Sequence, residues 1–122
     1  MNIGLLGFGV VGKGVYEITS ARSDMQVTKI LCLEEISLPD AQAVQHFDEI
    51  LSDESIDVVV EAIGGLHPAW EYVKAAIQAG KNVVMDIDVQ GAASIRACDD
   101  AIIRRAYADV YIHVPSAELE AR

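Results

Sequence analysis

The stretch Gly7-Phe8-Gly9-Val10-Val11-Gly12 carries the most specific chemistry in this sequence. Its spacing is G-x-G-x-x-G, which brings backbone amides close to an anion when a strand precedes it and a helix follows. Gly7 suits a tight turn, Gly9 lets a pyrophosphate approach bare backbone, and Gly12 lets the helix lie close on the sheet. The start of a helix adds free N–H donors and partial positive charge. The expected ligand is a dinucleotide, with Gly7, Phe8, Gly9, Val10, Val11 and Gly12 as its first candidate contacts. The same residues extended to Lys13 also fit G-x-x-x-x-G-K, the phosphate loop of triphosphate-binding proteins. That loop requires Ser or Thr at the next position to hold magnesium, and Gly14 stands there. A glycine turn that binds nothing is the bland third reading.

A second candidate lies at Glu34 and Glu35, about 20 residues beyond the glycine motif, where an acidic side chain can accept from both ribose hydroxyls. A carboxylate there repels a 2′-phosphate, so Glu34 points to NAD, with NADP less favoured. The alternative is a solvated strand end. Asp86 and Asp88 lie two apart and would share one face of a strand. Such a pair could hold magnesium, but capping the next helix suits them better, and no metal site is assigned. His46, His67 and His113 are scattered, and none is given a catalytic role. Cys32 and Cys98 have neither metal spacing nor a disulfide framework.

These residues need elements to position them. Asn2 to Leu6 is a short apolar run that reads as a buried strand, and Val10 to about Ser20 has helical spacing. Val27 to Leu33 reads as the second strand, Ala41 to Gln45 as a weak one, and Asp48 to Asp53 as a helical turn. Ile56 to Ala62 contains three consecutive valines and ends at Gly64-Gly65. Pro68 opens a helix that closes at Gly80. Asn82 to Ile87 predicts a strand, Gln90 to about Tyr107 a helix, Ala108 to Val114 a last strand, and Ser116 a final turn running to Arg122. Alternation of this kind with unbroken apolar strands predicts an α/β fold. The expected architecture is a three-layer, doubly wound, mostly parallel (Rossmann-like) sheet of about five or six strands, built as one domain over residues 1–122.

Composition sets the outer bounds. The 122 residues are 52% hydrophobic and carry a formal net charge of −10. That charge disfavours nucleic acid and anionic membrane as partners, since phosphate would be repelled. No run is long and apolar enough to span a membrane. The N-terminus lacks the pattern of an export signal, so a cytoplasmic setting is the expectation.

Residues 1 to about 84 resemble the nucleotide-binding domain of homoserine dehydrogenase. The matching pieces are Ile3 through Gly12, Asp57-Val58-Val59-Val60-Glu61-Ala62-Ile63-Gly64-Gly65, Pro68-Ala69, and Ala79-Gly80-Lys81-Asn82-Val83-Val84. The resemblance implies that Gly64 and Gly65 line the cofactor crevice near the nicotinamide end. It also implies a parent reaction of hydride transfer between aspartate semialdehyde and homoserine. After Val84 the family continues Thr-Ala-Asn-Lys, whose lysine belongs to the reaction centre, whereas this chain has Met85-Asp86-Ile87-Asp88. The family's substrate and dimerisation region is also missing, so no catalytic residue is assigned.

Residues from about 81 to 122 resemble the middle of guanylate kinase. The stretches that carry this are Gly80 through Ala92, Asp109-Val110-Tyr111-Ile112-His113-Val114-Pro115-Ser116, and Glu118 through Arg122. That resemblance implies that Asp86 and Asp88 lie beside nucleotide and magnesium, yet the family's phosphate loop has no counterpart here. A junction near Gly80-Lys81, making the chain a chimera, a design or an unusual fusion, is the reading that joins the two. A guanylate kinase-like nucleotide binder, or a chimeric fold without ligand, stands as the alternative function. A parallel sheet lacking a companion region would leave apolar surface open, which makes a homo-oligomer a further expectation.

Overall fold

Among the described residues, five strands form where the chain carries apolar runs. The computed structural model describes residues 1–65, 67–113 and 115–117, with side chains except at 104–106. In chain order the elements are β1 (Asn2–Leu6), α1 (Val10–Ser20), β2 (Gln26–Leu31), β3 (Gln42–Val44), α2 (Asp48–Leu51) and β4 (Val58–Glu61). There follow α3 (Ala69–Gln78), β5 (Asn82–Met85), α4 (Val89–Arg96) and α5 (Ala101–Ala106). The sheet order is β3-β2-β1-β4-β5, and every pairing is parallel. The order reverses between β1 and β4, so the C-terminal ends of those two strands border the crevice where open α/β sheets bind ligands.

Both faces of the sheet are covered, which gives three layers. On one face Ile3, Leu5, Val27 and Ile30 are buried beneath Val15 and Tyr16 of α1. On the other, Leu6, Leu31, Val44 and Val59 pack with Ile50 of α2 and Ala76 of α3. Consecutive residues of β1 thus feed opposite cores, which is why its sequence is apolar throughout rather than alternating. Leu5, Leu6, Ile30, Ile50, Val59 and Val73 are fully buried, each contributing roughly 1.5–3 kcal/mol of transfer free energy. Tyr72 of α3 stacks on Phe47 at 4.4 Å between ring centroids.

The lower end of β4 is tied down by Lys81. Its ammonium donates to the Asp53 carbonyl at 2.7 Å and the Ile56 carbonyl at 3.1 Å. Lys29 pairs with the Asp53 carboxylate at 3.0 Å.

Two expectations for the C-terminal third are corrected. The single helix expected from Gln90 to Tyr107 is two helices, α4 and α5. Asp100 breaks it, because its Oδ1 accepts from the amides of Ile102 and Ile103 and starts a new helix. The strand expected over Ala108–Val114 does not form in residues 108–113. The Asp109 carboxylate is instead held by Arg96 of α4 at 2.7 Å, and Val110, Tyr111 and Ile112 are exposed. Val114 and the end of the turn expected from Ser116 to Arg122 lie outside the described residues. Among the described residues no helix is long and apolar enough to cross a membrane.

Candidate functional site

The turn from β1 into α1 contains only Gly7, Phe8 and Gly9. Gly7 has φ +97°, a conformation that strongly favours glycine. Its N–H donates to the Leu31 carbonyl at 2.9 Å, and the Ala62 N–H donates to the Leu6 carbonyl at 2.8 Å. The C-terminal ends of β1, β2 and β4 are thereby fixed together at one edge. A Cβ on Gly7 would lie 2.9 Å from the Ala62 carbonyl oxygen. The glycine turn and the turn after β4 are therefore in backbone contact. Phe8 is half-buried and packs edge-on against Tyr16, with ring centroids 5.9 Å apart. The Tyr16 hydroxyl donates to Asp40, and that hydrogen bond raises its pKa above the usual tyrosine value.

Gly9 is the N-cap of α1, with φ −81° and ψ −153°. Among the described residues no side chain caps this helix, and its first turn carries no acidic residue. The opening amides of an α-helix have no intrahelical partner, and here Val10 and Val11 beside them are exposed. A Cβ built on Gly9 meets nothing within 4 Å, whereas one on Gly12 would sit 2.3 Å from the Gly7 carbonyl oxygen. The three glycines thus do different work. Gly7 turns the chain, Gly9 leaves space in front of free donors, and Gly12 lets α1 press onto the turn. This fits a diphosphate, which needs bare backbone and undistracted amides. Lys13 lies past the N-terminal amides, its own N–H bonded to the Gly9 carbonyl, and its side chain is exposed.

Glu34 is exposed in the loop that follows β2. β2 ends at Leu31, two residues short of the expected strand end, so Glu34 stands clear of the sheet. With Cys32, Glu35, Gln45, His46 and Glu49 it lines a groove of about 600 Å³ at the C-terminal ends of β2 and β3. Its described lining carries three glutamates and neither Lys nor Arg. Cys32 donates its thiol hydrogen to the Glu34 carbonyl at 3.0 Å, and both cysteines are free. Gly64 (φ +80°) and Gly65 (φ +72°) follow β4, exposed on the side of the switch point away from Glu34.

Asp86 and Asp88 do not share a strand, because β5 stops at Met85. Asp88 caps α4, its Oδ1 accepting from the Gly91 amide at 2.7 Å, so the capping reading holds for it. Among the described residues no cluster of three or more His, Cys, Asp or Glu is arranged to hold a metal ion. His67 pairs with Glu71 on the exposed start of α3. One residue of the site was not singled out from the sequence. Glu61, the last residue of β4, is buried and accepts from the amides of Ile63 at 2.9 Å and Gly64 at 3.1 Å. The available signal was a carboxylate directly after three valines.

The decisive comparison is with protein families. Residues 7–94, more than half of the chain, match the family described as homoserine dehydrogenase, NAD binding domain. The chain belongs to this family. The match runs past Val84 into α4. Homoserine dehydrogenase of Lactococcus lactis subsp. lactis is 35% identical over 100 residues, covering 69% of this chain and 23% of that protein. The scyllo-inositol 2-dehydrogenase (NADP(+)) of Bacillus subtilis is 36% identical over 92 residues, covering 70% of this chain and 25% of that protein. Among solved structures, S. aureus homoserine dehydrogenase superposes with a TM-score of 0.63 at 28% identity, over 70% of this chain and 25% of that one. The chain spans about a quarter of the length of these relatives. It is an NAD-binding domain of the homoserine dehydrogenase type, an α/β Rossmann-like fold that binds a dinucleotide cofactor.

Proposed function

We propose that this domain holds NAD with its diphosphate on the free amides at the start of α1, against the backbone of Gly7, Phe8, Gly9, Val10, Val11 and Gly12. The observation that carries this is the open space in front of Gly9, beside a helix start without a side-chain cap among the described residues. Glu34 accepts from the ribose hydroxyls of the adenosine half. A groove lined by three glutamates and by neither Lys nor Arg repels a 2′-phosphate, so NAD is preferred to NADP. Gly64 and Gly65 line the nicotinamide end of the crevice.

The parent reaction is hydride transfer between aspartate semialdehyde and homoserine. When bound, the cofactor would supply the hydride acceptor, and this chain's residues would bind and orient it. Met85-Asp86-Ile87-Asp88 stands where the family carries a lysine of its reaction centre. An anionic Asp88 committed to capping α4 cannot act as an ammonium group. The 122-residue chain is therefore a single cofactor-binding domain that does not measurably oxidise homoserine by itself.

The guanylate kinase resemblance from Gly80 onward, with a junction near Gly80-Lys81, is supported by the motif from Gly80 to Ala92 alone, and the homoserine dehydrogenase match runs across that junction to residue 94. The exposed Val110, Tyr111 and Ile112 support self-association into a homo-oligomer, and a cytoplasmic setting suits two free cysteines.

Calorimetry of the purified chain with NAD, NADP, ATP and GMP tests this reading. NAD should bind more tightly than NADP, and ATP and GMP should show no heat beyond dilution. Magnesium-dependent ATP binding in the absence of NAD binding would overturn it.

A further inference from the structure

Glu61 is a carboxylate in the middle of the sheet, 2% exposed at the last position of β4. Its register neighbours are Leu6 on β1 and Met85 on β5, both apolar. A carboxylate at such a place is retained only where hydrogen bonds replace its water. Those bonds run forward along the chain, to the amides of Ile63 and Gly64. Both amides belong to the turn that leaves β4 and carries the positive-φ pair Gly64 and Gly65. Nothing within 4 Å would meet a Cβ on either glycine, so their own packing does not hold the turn in shape. The other side of the turn is in contact with Gly7, through the Ala62 carbonyl. Glu61 is thus the fixed point of the crevice wall that faces the glycine motif, while its side chain stays out of the crevice.

We propose that Glu61 is a positioning residue for the half of the dinucleotide beyond the diphosphate, acting through the Ala62–Gly65 turn that its carboxylate holds. This rests on the dinucleotide reading above. The adenosine half lies toward β2 and the Glu34 groove, away from this turn. Loss of Glu61 should therefore affect NAD and leave ADP alone. A residue needed only for folding would weaken both ligands alike.

The test uses the 122-residue protein and its Glu61→Ala, Glu61→Asp and Glu61→Gln variants. Affinities for NAD and for ADP are measured by calorimetry, and amide exchange is measured by NMR without nucleotide. Glu61→Ala should raise the NAD Kd about tenfold or more and leave the ADP Kd within about twofold. Exchange at Ile63 and Gly64 should quicken at least about tenfold while Leu5 and Leu6 stay protected. Glu61→Gln keeps a carbonyl oxygen at the same reach and should hold NAD within about threefold of wild type. Glu61→Asp is one methylene too short and should behave as Glu61→Ala, which carries the test if the alanine variant does not fold. An NAD Kd unchanged in the folded Ala or Asp variant overturns the proposal. So do NAD and ADP affinities that fall together, or wild-type amides at Ile63 and Gly64 that exchange as freely as in an unstructured peptide. Wild-type protein that binds neither nucleotide overturns the dinucleotide reading, and this one with it.

Discussion

Replacing Gly9 with aspartate should make the free domain more stable and close its dinucleotide site. α1 begins without a side-chain cap, and a Cβ at position 9 has open space around it at a backbone conformation any residue adopts. Aspartate there can accept from the helix's own first-turn amides. An aspartate N-cap gains a few tenths of a kcal/mol over glycine, and its charge at the helix start adds about 0.3–1 kcal/mol. With an unfolding entropy of roughly 2.1 cal/mol/K per residue, the gain raises the midpoint by about 2–5 °C for a chain of this length. The same carboxylate takes the amides a diphosphate would use and repels it. Each charge-assisted hydrogen bond lost is worth roughly 1.5–3 kcal/mol, so one lost bond weakens NAD about 10- to 150-fold. Thermal melts followed by circular dichroism measure the first effect, and calorimetry with NAD the second. A folded Gly9→Asp protein that binds NAD within threefold of wild type refutes the placement of the diphosphate. A variant that fails to fold refutes the open space.

Gly12→Ala should do the reverse of a neutral change. Its Cβ would lie 2.3 Å from the Gly7 carbonyl oxygen, and the shift this forces on α1 costs about 1–3 kcal/mol, seen as a melting midpoint lower by about 4–12 °C. Asp53 has its pKa lowered to about 2 by hydrogen bonds from Ser55 and Lys29. A carboxylate depressed on folding stabilises the fold above its unfolded pKa and loses that contribution as pH falls from about 4 towards 2. Acid-unfolding curves of Asp53→Asn should therefore be flatter than wild type across that window, and superimposable curves would sink the assignment. Asp100→Ala removes the oxygen that receives the Ile102 and Ile103 amides, so about 0.5–2 kcal/mol of helix stability goes with it. Amide exchange confined to α5 should quicken, and unchanged exchange would show that the cap is idle.

What could be read from the sequence was local or strongly periodic. The path from Leu6 through Gly7 and Gly9 into α1 is spelled out by residue type, because each glycine answers a steric demand set by its near neighbours. The run of valines in β4 and the closing Gly80 of α3 are equally direct. The C-terminal third departs from its sequence pattern for two physical reasons. Apolar residues around Ile95 and Ile102 keep a helical period across Asp100, so the cap that divides α4 from α5 looks like one more polar position on a continuous helix. The alternation from Ala108 to Val114 describes a segment able to pair, but pairing needs a neighbour, and Arg96 holds Asp109 beside α4 instead. The strand leading to Glu34 ends at Leu31, earlier than its apolar content suggests. The role of Glu61 is not legible in the sequence, because its value lies in reaching two amides of a turn, which no periodicity encodes.

The grip of Lys81 on two carbonyls before β4 also bears on how such a chain can be assembled. Position 81 is the first residue after α3 closes, and its ammonium is anchored to backbone laid down more than twenty residues earlier. The sequence downstream therefore enters the sheet from a peg whose location the preceding residues have already decided. Any apolar strand attached behind a Gly-Lys at this point inherits the correct starting height beside β4. Grafts made at that seam should dock in register with no redesign upstream, while the same grafts lacking the lysine would begin from a loose end.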